Sequence, residues 1–522
     1  MGGAARGGLR DVSRKEREHV YMNSSVPGGE REYETIRWKF GGINRRDRID
    51  TGEFSDMCGI SSEGDALVVD PPFSEFGEVT RQYAHPVQLE KFDDFLLILY
   101  LNEGGALMAD MVMDGLPVTT VTVSEDNAFG DAKRSVVLFN VCQTDSGNIV
   151  SATFKPTILI FPDKKSFPAT PATGLSTTAA DLGATYPNLT TATSFQGRVF
   201  GSDGGRVFAS EYNDYAGWEL DTADSSLASH AWVTTTQTNV RADDDVTGVT
   251  VYQNHVVVFK RGYMHMVYGT ENPFRLVDIG ERGAVGGRAF CEVNGILYFA
   301  SGNGIMAYDG DSVADISRNV MDSTVELSAD TILSGDARYL YVNNATTALR
   351  YDTVYGVWTR QALPTGISES DVKDMSANNS ETHEAYLLSS SGKVYTPSEN
   401  AAHGRFWLAE TDLMCMTRMD IRRVKKVQVI GTCDTSGIPE GKESVIRVYL
   451  LRRQDSFDES SSVLIAQKSF SRGSGSTPFV LRSLTRMFSA VGHRLYITGD
   501  GVFRIVGIDM KVSYGGDIYV SE

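Results

Sequence analysis

The sequence predicts an all-β chain: a β-propeller of six to eight blades, a carboxy-terminal β-sandwich-like domain behind it, and an extended amino-terminal arm in front. Three observations predict it. Residues 249–310 hold one unit twice, each copy a strand, a turn, an apolar strand, a glycine-containing turn and another strand. Gln253 and Asn294 occupy matching positions 41 residues apart, the size of one four-stranded blade. The 51 glycines against 15 prolines suit many short strands joined by tight turns, and positive φ is expected at Arg261-Gly262 and at Asn303-Gly304.

Composition narrows the classes. A chain of 522 residues allows two to four domains, and 41% hydrophobic content is enough to give each a core. No window approaches 18 consecutive apolar residues, so no membrane span is expected. The start, Met1-Gly-Gly-Ala-Ala-Arg-Gly-Gly, lacks the apolar stretch of a secretory signal and the Ser or Thr at position 6 of a myristoylation signal. Synthesis in the cytoplasm follows as the expectation. Cys58, Cys142, Cys291, Cys415 and Cys433 are scattered, with no Cys-x-x-Cys pair, which predicts buried reduced thiols instead of a zinc or redox site.

Charge is uneven. Residues 401–522 carry 17 Lys or Arg against 13 Asp or Glu, a balance of +4, which leaves −22 of the total −18 on residues 1–400. So acidic a body argues against wrapping duplex DNA, whose affinity comes from neutralised phosphates.

In chain order, residues 1–30 form a polar, glycine-bearing arm, either floppy or anchoring a neighbouring subunit. Residues 31–80 lead into the propeller, which spans 81–400. Its units begin with Leu89-Glu-Lys-Phe-Asp-Asp-Phe-Leu-Leu-Ile-Leu-Tyr-Leu101, then Ser135-Val-Val-Leu-Phe139 with Thr157-Ile-Leu-Ile-Phe161, then Thr193-Ser-Phe-Gln-Gly-Arg-Val-Phe200. The paired stretch gives the fourth and fifth, Ala337–Trp358 the sixth, and Glu384–Tyr395 the seventh. Starts near 253, 294, 338 and 384 lie 41, 44 and 46 residues apart. The Thr-, Ala- and Pro-rich residues 168–189 are expected to be an excursion between blades. Residues 401–522 alternate apolar and polar with longer loops, which predicts a separate β-sandwich-like domain.

Several of these stretches carry a resemblance. Phe40-Gly-Gly-Ile-Asn44, then Ile49-x-x-Gly52-Glu53-x-x-Asp56-Met57, then Leu67-x-Val69-x-Pro71-Pro72 resemble the opening of tailed-bacteriophage virion proteins with propeller bodies. Ser210-x-x-x-Asp214-x-x-x-Trp218, Tyr268-Gly-Thr-Glu-Asn-Pro-Phe274, Glu281-Arg-Gly-Ala284 and Tyr298-Phe-Ala-Ser-Gly-Asn-Gly-Ile305 follow in that family's order. Gly499-x-Gly501-x-Phe503-Arg-Ile505 with Tyr514-Gly-Gly-Asp517 is similar to its closing motif. The resemblance implies a tail nozzle, tail hub or packaged-DNA-stabilising component of a virion, working by assembly. It implies other tail or connector proteins as partners, and a homo-oligomeric ring such as a hexamer, with DNA passing nearby without sequence-specific binding.

Residues suited to chemistry are few. Ser202-Asp-Gly-Gly-Arg-Val-Phe208 resembles the Asp-box turn of sialidases, but one such turn without repeats is ordinary hairpin sequence. Asp243-Asp-Asp245 and Asp309-Gly-Asp311 lack the full ligand spacing of a calcium loop. A hairpin turn at Arg261-Gly262 pairs His265 with Val258 and sets His255 at opposite parity, which disfavours a metal between the two histidines. No Gly-x-Ser-x-Gly elbow or phosphate-binding Gly-x-x-x-x-Gly-Lys occurs. The expectation is therefore no catalytic residues, no cofactor, no metal, and no enzyme. Arg422, Arg423, Lys425 and Lys426 are the candidate subunit-docking residues, placed to meet a neighbour's acidic propeller. The alternative is a tail protein that binds host-surface carbohydrate, with Tyr212, Tyr215 and Trp218 as a sugar platform or, as blade cores demand, as packing.

Overall fold

The computed structural model describes residues 33–45, 53–140, 156–169, 178–218, 230–234, 244–321, 325–378, 384–398, 406–411, 422–452, 462–483, 488–490 and 493–514. The expected arm at residues 1–30 lies outside them. The chain is all-β, with one 3-10 turn at Glu369–Asp371.

Seven four-stranded antiparallel arrays follow one another along the sequence. Their first strands are His85–Lys91, Ser135–Phe139, Thr191–Phe195, Val246–Tyr252, Phe290–Val293, Ile332–Gly335 and Val372–Asn378. Second strands are near-continuous apolar runs: Leu96–Leu101, Thr157–Phe161, His255–Lys260 and Ile296–Ser301 are each buried at all but one terminal residue. A strand covered on one face alternates apolar with polar, so continuous runs mean that both faces are covered. The packing supplies the reason. Separate apolar clusters join the first sheet to the second (Leu97, Ile158), the second to the third (Leu159, Phe200's neighbour Val199), and the third to the fourth (Phe200, Val256). Others join the fourth to the fifth (Phe259, Phe299), the fifth to the sixth (Ala300, Leu340), the sixth to the seventh (Tyr341, Met375), and the seventh to the first (Leu388, Ile98).

The seventh sheet draws its fourth strand from far upstream. Phe73–Glu75 pairs with Val394–Pro397, through partners such as Ser74 and Thr396. The residues expected to form an excursion, 168–189, include the fourth strand of the second sheet, Ala180–Asp181. Positive φ also falls elsewhere than expected. It occurs in the first-to-second-strand turns Gln196–Gly197, Gln253–Asn254 and Asn294–Gly295, and of the four residues named above only Gly304 has it. Those turns are true two-residue hairpins, closed by Phe195 opposite Arg198, Tyr252 opposite His255 and Val293 opposite Ile296. Type I′ turns, which follow the strand twist, have left-handed backbone at both positions.

Carboxy-terminal strands do not form sheets by themselves. Phe503–Tyr514 lies between Arg422–Asp434 on one side and Tyr33–Arg37 with Ala66–Val69 on the other, in a seven-stranded sheet. Facing it is a nine-stranded sheet that begins as the sixth array. It continues from Val357–Arg360 through Phe54–Cys58 to Phe406–Thr411, His493–Asp500, Glu443–Arg452 and Val463–Ser471. Between the two sheets lie Trp407, Phe470, Phe479 and Phe503, with ring centroids 5.4–6.1 Å apart. Two ion pairs fasten the amino-terminal segment to the sixth array. Arg360 grips Asp56 with two bonds of 2.7 Å, and buried Arg350 meets Asp70 at 2.5 Å with Ser61 beside both.

The junction of the seventh and first sheets is tight. Gly392 has φ +79°, its carbonyl accepts from the Tyr83 N–H at 3.0 Å, and an added Cβ would collide with the Tyr83 carbonyl. Gly392→Ala is therefore expected to cost about 2 kcal/mol or more, read as a lower urea midpoint. An unchanged midpoint would show that this junction gives way freely.

Candidate functional site

All seven first strands, or the residues that lead into them, line one cavity of about 940 Å³, with Glu90, Arg134, Thr191, Thr247, Glu292, Ser334 and Ser376 among its walls. Three carboxylates (Glu90, Glu292, Asp330) and five cations (Lys91, Lys133, Arg134, Arg288, Lys373) line it, so the wall is not acidic.

The innermost strands are stitched to one another by side chains. Asp374 Oδ2 accepts from the Leu89 N–H at 2.9 Å, and Ser376 Oγ from the Lys91 N–H at 2.9 Å, which ties the seventh sheet to the first. Gln88 exchanges bonds of 2.6 and 2.8 Å with the backbone of Arg134, tying first to second. Ser135 Oγ accepts from the Ala192 N–H at 2.8 Å, and Thr191 Oγ1 from the Val249 N–H at 3.1 Å. A first strand has no further strand on its inner side, so these hydroxyls and carboxylates satisfy backbone groups that would otherwise need water.

Arg288, just before the first strand of the fifth sheet, crosses the cavity. Its guanidinium pairs with Glu90 of the first sheet, donates to the Leu89 carbonyl at 3.2 Å, and reaches Asp374 of the seventh at 3.2 Å. Lys133 approaches the same Asp374 at 3.2 Å while donating to the carbonyls of Val87 and Lys373 at 2.6 and 2.8 Å. Burial by itself would raise the Asp374 carboxyl, but Arg288 and Lys133, with the Leu89 N–H, hold it below its ordinary range. Burial pulls the Lys133 ammonium down against the opposing pull of Asp374. Arg134 is buried against Asp163 at 2.7 Å. The arrangement matches charge with charge and braces four sheets.

No family model matches the chain, and no curated protein matches it. Among solved structures, an arginine-to-alanine triple mutant of AofleA from Arthrobotrys oligospora is similar at 10% identity and a TM-score of 0.29, over 67% of this chain and 88% of that one. A likeness at that score bears on neither fold nor function.

The predicted docking residues sit on one strand, Arg422–Asp434. Arg422 and Arg423 pair through their backbones with Tyr514 and Ser513, and their side chains lie outside the described residues. A bulge separates Val424 from Lys426; Lys425 is half-buried and Lys426 exposed. His265 stands opposite Val258, as the hairpin reading requires, and is buried, while His255 is half-buried against Tyr268. Among the described residues no three His, Cys, Asp or Glu side chains gather as for a metal. Asp309 accepts from the N–H groups of Asp311 and Ser312 at 2.9 and 2.7 Å, so its carboxylate serves its own turn. Asp243 lies outside the described residues. Ser202–Phe208 forms a plain hairpin, with Arg206 on Asp203 at 2.5 Å. Of the three aromatics, Trp218 is buried against Tyr186 and Tyr215 packs on Phe139, whereas Tyr212 is 40% exposed.

Sequence reading missed Asp374, Arg288 and Lys133. Each is one charge within a mixed stretch, and no spacing along the chain announces a pairing across a cavity. Burial pushes the Cys58 thiol up to about 11 and the Cys433 thiol up to about 12, and raises Cys291 as well. With Cys142 and Cys415 outside the described residues, no more than two of the five thiols should label with maleimide at pH 7 before unfolding.

Removing one partner of a buried ion pair leaves the other uncompensated, so Asp374→Ala is expected to cost about 3–5 kcal/mol. The sign with pH follows from the lowered carboxyl. Its stabilisation is complete above about pH 4, the unfolded value, and is lost as pH falls through the lower folded one. Denaturation midpoints from pH 2 to 7 should therefore fall less steeply at the acid end for Asp374→Asn than for the wild type.

Proposed function

We propose that the seven sheets are the blades of a β-propeller closed by Phe73–Glu75, and that the protein is a non-catalytic structural component of a phage tail or head-to-tail conduit, acting by ring assembly. The observation that carries this reading is the state of the central cavity. Where an enzyme or carrier would hold its ligand, Arg288 spans the space and its charge is taken up by Glu90 and Asp374. The cavity residues work as a brace, which leaves the outer surfaces for function. The resemblance of residues 36–72 and 195–310 to phage virion proteins gives those surfaces a setting. DNA then runs past the subunit and not through its cavity. The −22 charge of residues 1–400 repels phosphates within about a Debye length, ~8 Å at physiological salt, so a duplex slides without sticking. The +4 carboxy-terminal strands orient a neighbour.

The second reading, carbohydrate binding on a host surface, is favoured by one feature. Tyr212 is exposed at 40%, with the Arg198 guanidinium 5.8 Å from its ring.

Replacing Arg422, Arg423, Lys425 and Lys426 together by Glu is expected to lower incorporation into particles at least tenfold. Normal incorporation would remove the charged-docking model. Negative-stain images of the purified wild type should show closed rings. A monomer absent from particles that binds cell-wall glycan, and loses that binding in Tyr212→Ala, would replace the structural reading with the second.

A further inference from the structure

The seven-stranded sheet has one face in the core and one in solvent. Val427, Val429, Phe479, Leu481, Ile508 and Met510 point inward and are buried. The strand register sets the outward residues side by side. Arg37, Asp509, Gln428 and Arg482 form one row, Lys511 and Lys426 the next, and Ile430 with Val480 another. Arg504 stands beyond them opposite Thr432. Five cations thus stand on this face. Its carboxylates include Asp509, bonded to Arg37 at 3.0 Å, Glu63 and Asp65 near Arg504 at 3.4 and 3.9 Å, and Asp434, which accepts from the Ser436 N–H of its own turn. Between the cations, Val480 and Val506 are 48% and 49% exposed. A cationic face with exposed valines is unlike a surface designed only for water.

The opposite chemistry occurs at the junction of the seventh and first sheets. Glu75, Glu78 and Asp114 are exposed there, and partial burial with the neighbouring Asp114 raises the Glu78 carboxyl. Lys393 reaches Glu75. The turn that carries Asp114 also exposes Leu116 and Val118, at 50% and 41%. One patch is basic with apolar residues between, the other acidic with apolar residues beside it.

We propose that these two patches are the halves of a head-to-tail contact between copies of this chain, the outward face of the seven-stranded sheet docking on the Glu75–Glu78–Asp114 patch of a second copy. This rests on the assembly reading above and names its surfaces. The occupant is a second copy because the chain carries both complements, on bodies with net charges of opposite sign. Valines meet Leu116 and Val118 at the centre, while cations and carboxylates set the orientation. Patches that differ in this way join heterologously, and heterologous contacts give a ring where the rotation from copy to copy closes and a filament where it does not.

The test uses two variants of the full chain, Lys426→Glu with Arg482→Glu, and Glu78→Gln with Asp114→Asn. Mass photometry and sedimentation velocity at 0.15 M salt read the assembly, and thermal melting verifies folding. Wild type should form closed oligomers, weakened at least tenfold at 1 M salt. Each variant by itself should be monomeric, because each keeps one working patch and lacks the other. An equimolar mixture should give a heterodimer and nothing larger, since the two intact patches can meet only once. If wild type assembles and either variant assembles equally well, the docking assignment is overturned while the ring reading stands. If the first variant is monomeric but the second is not, the basic face meets itself or another surface, and the proposal is again overturned. A wild type that stays monomeric at every concentration overturns the assembly reading and this contact together.

Discussion

Every sheet of the sevenfold array has two apolar faces, and the structure depends on leaving none of them open. Leu96–Leu101 and its counterparts are buried on both sides because a neighbour stands on each side. An open row would expose one sheet face at each end. The Leu388 and Ile98 cluster covers one face of the seventh sheet with one face of the first. The cost of that arrangement is a long-range contact, since the first and seventh sheets are separated by nearly three hundred residues of chain. The upstream strand Phe73–Glu75 offsets it. By completing the seventh sheet immediately before the first begins, it makes the junction covalent as well as apolar.

The same upstream segment joins the two bodies. Between Tyr33 and Glu75 the chain pairs with Phe503–Tyr514, enters the nine-stranded sheet beside Val357–Arg360, and then completes the seventh array. Arg360 on Asp56 and Arg350 on Asp70 hold it against the sixth array. The sixth array passes into the carboxy-terminal strands through one registered pair, Cys58 beside Arg360, reinforced by the Arg360–Asp56 ion pair.

Inside the array, polarity does the work that apolar packing does between sheets. First strands face a cavity too polar to collapse, and their N–H groups are satisfied by Asp374, Ser376, Ser135 and Thr191 from adjoining sheets. Arg288 adds a strut across the middle. Because a buried charge without its partner is far more costly than a matched pair is favourable, this network favours one registration of the sheets over alternatives.

By itself the sequence determined the all-β character and the order of the seven units. It also determined the pairing of His265 with Val258, because apolar runs and turn residues are local signals read within one hairpin. It placed a charge step at residue 401 but could not show where the carboxy-terminal strands would find their partners. It misplaced the left-handed turns, since a glycine marks permission for positive φ but not the turn that uses it. Of the four docking candidates, only Lys426 is seen to lie exposed on the outward face, beside Lys511 and near Arg482, and that grouping exists only through the register of three strands. Phe73–Glu75 as a closing strand, Asp56 under Arg360 and Arg288 across to Asp374 were decided by tertiary structure. Each joins residues tens to hundreds of positions apart, where the chain carries no periodicity and the packing of the sheets sets the distance.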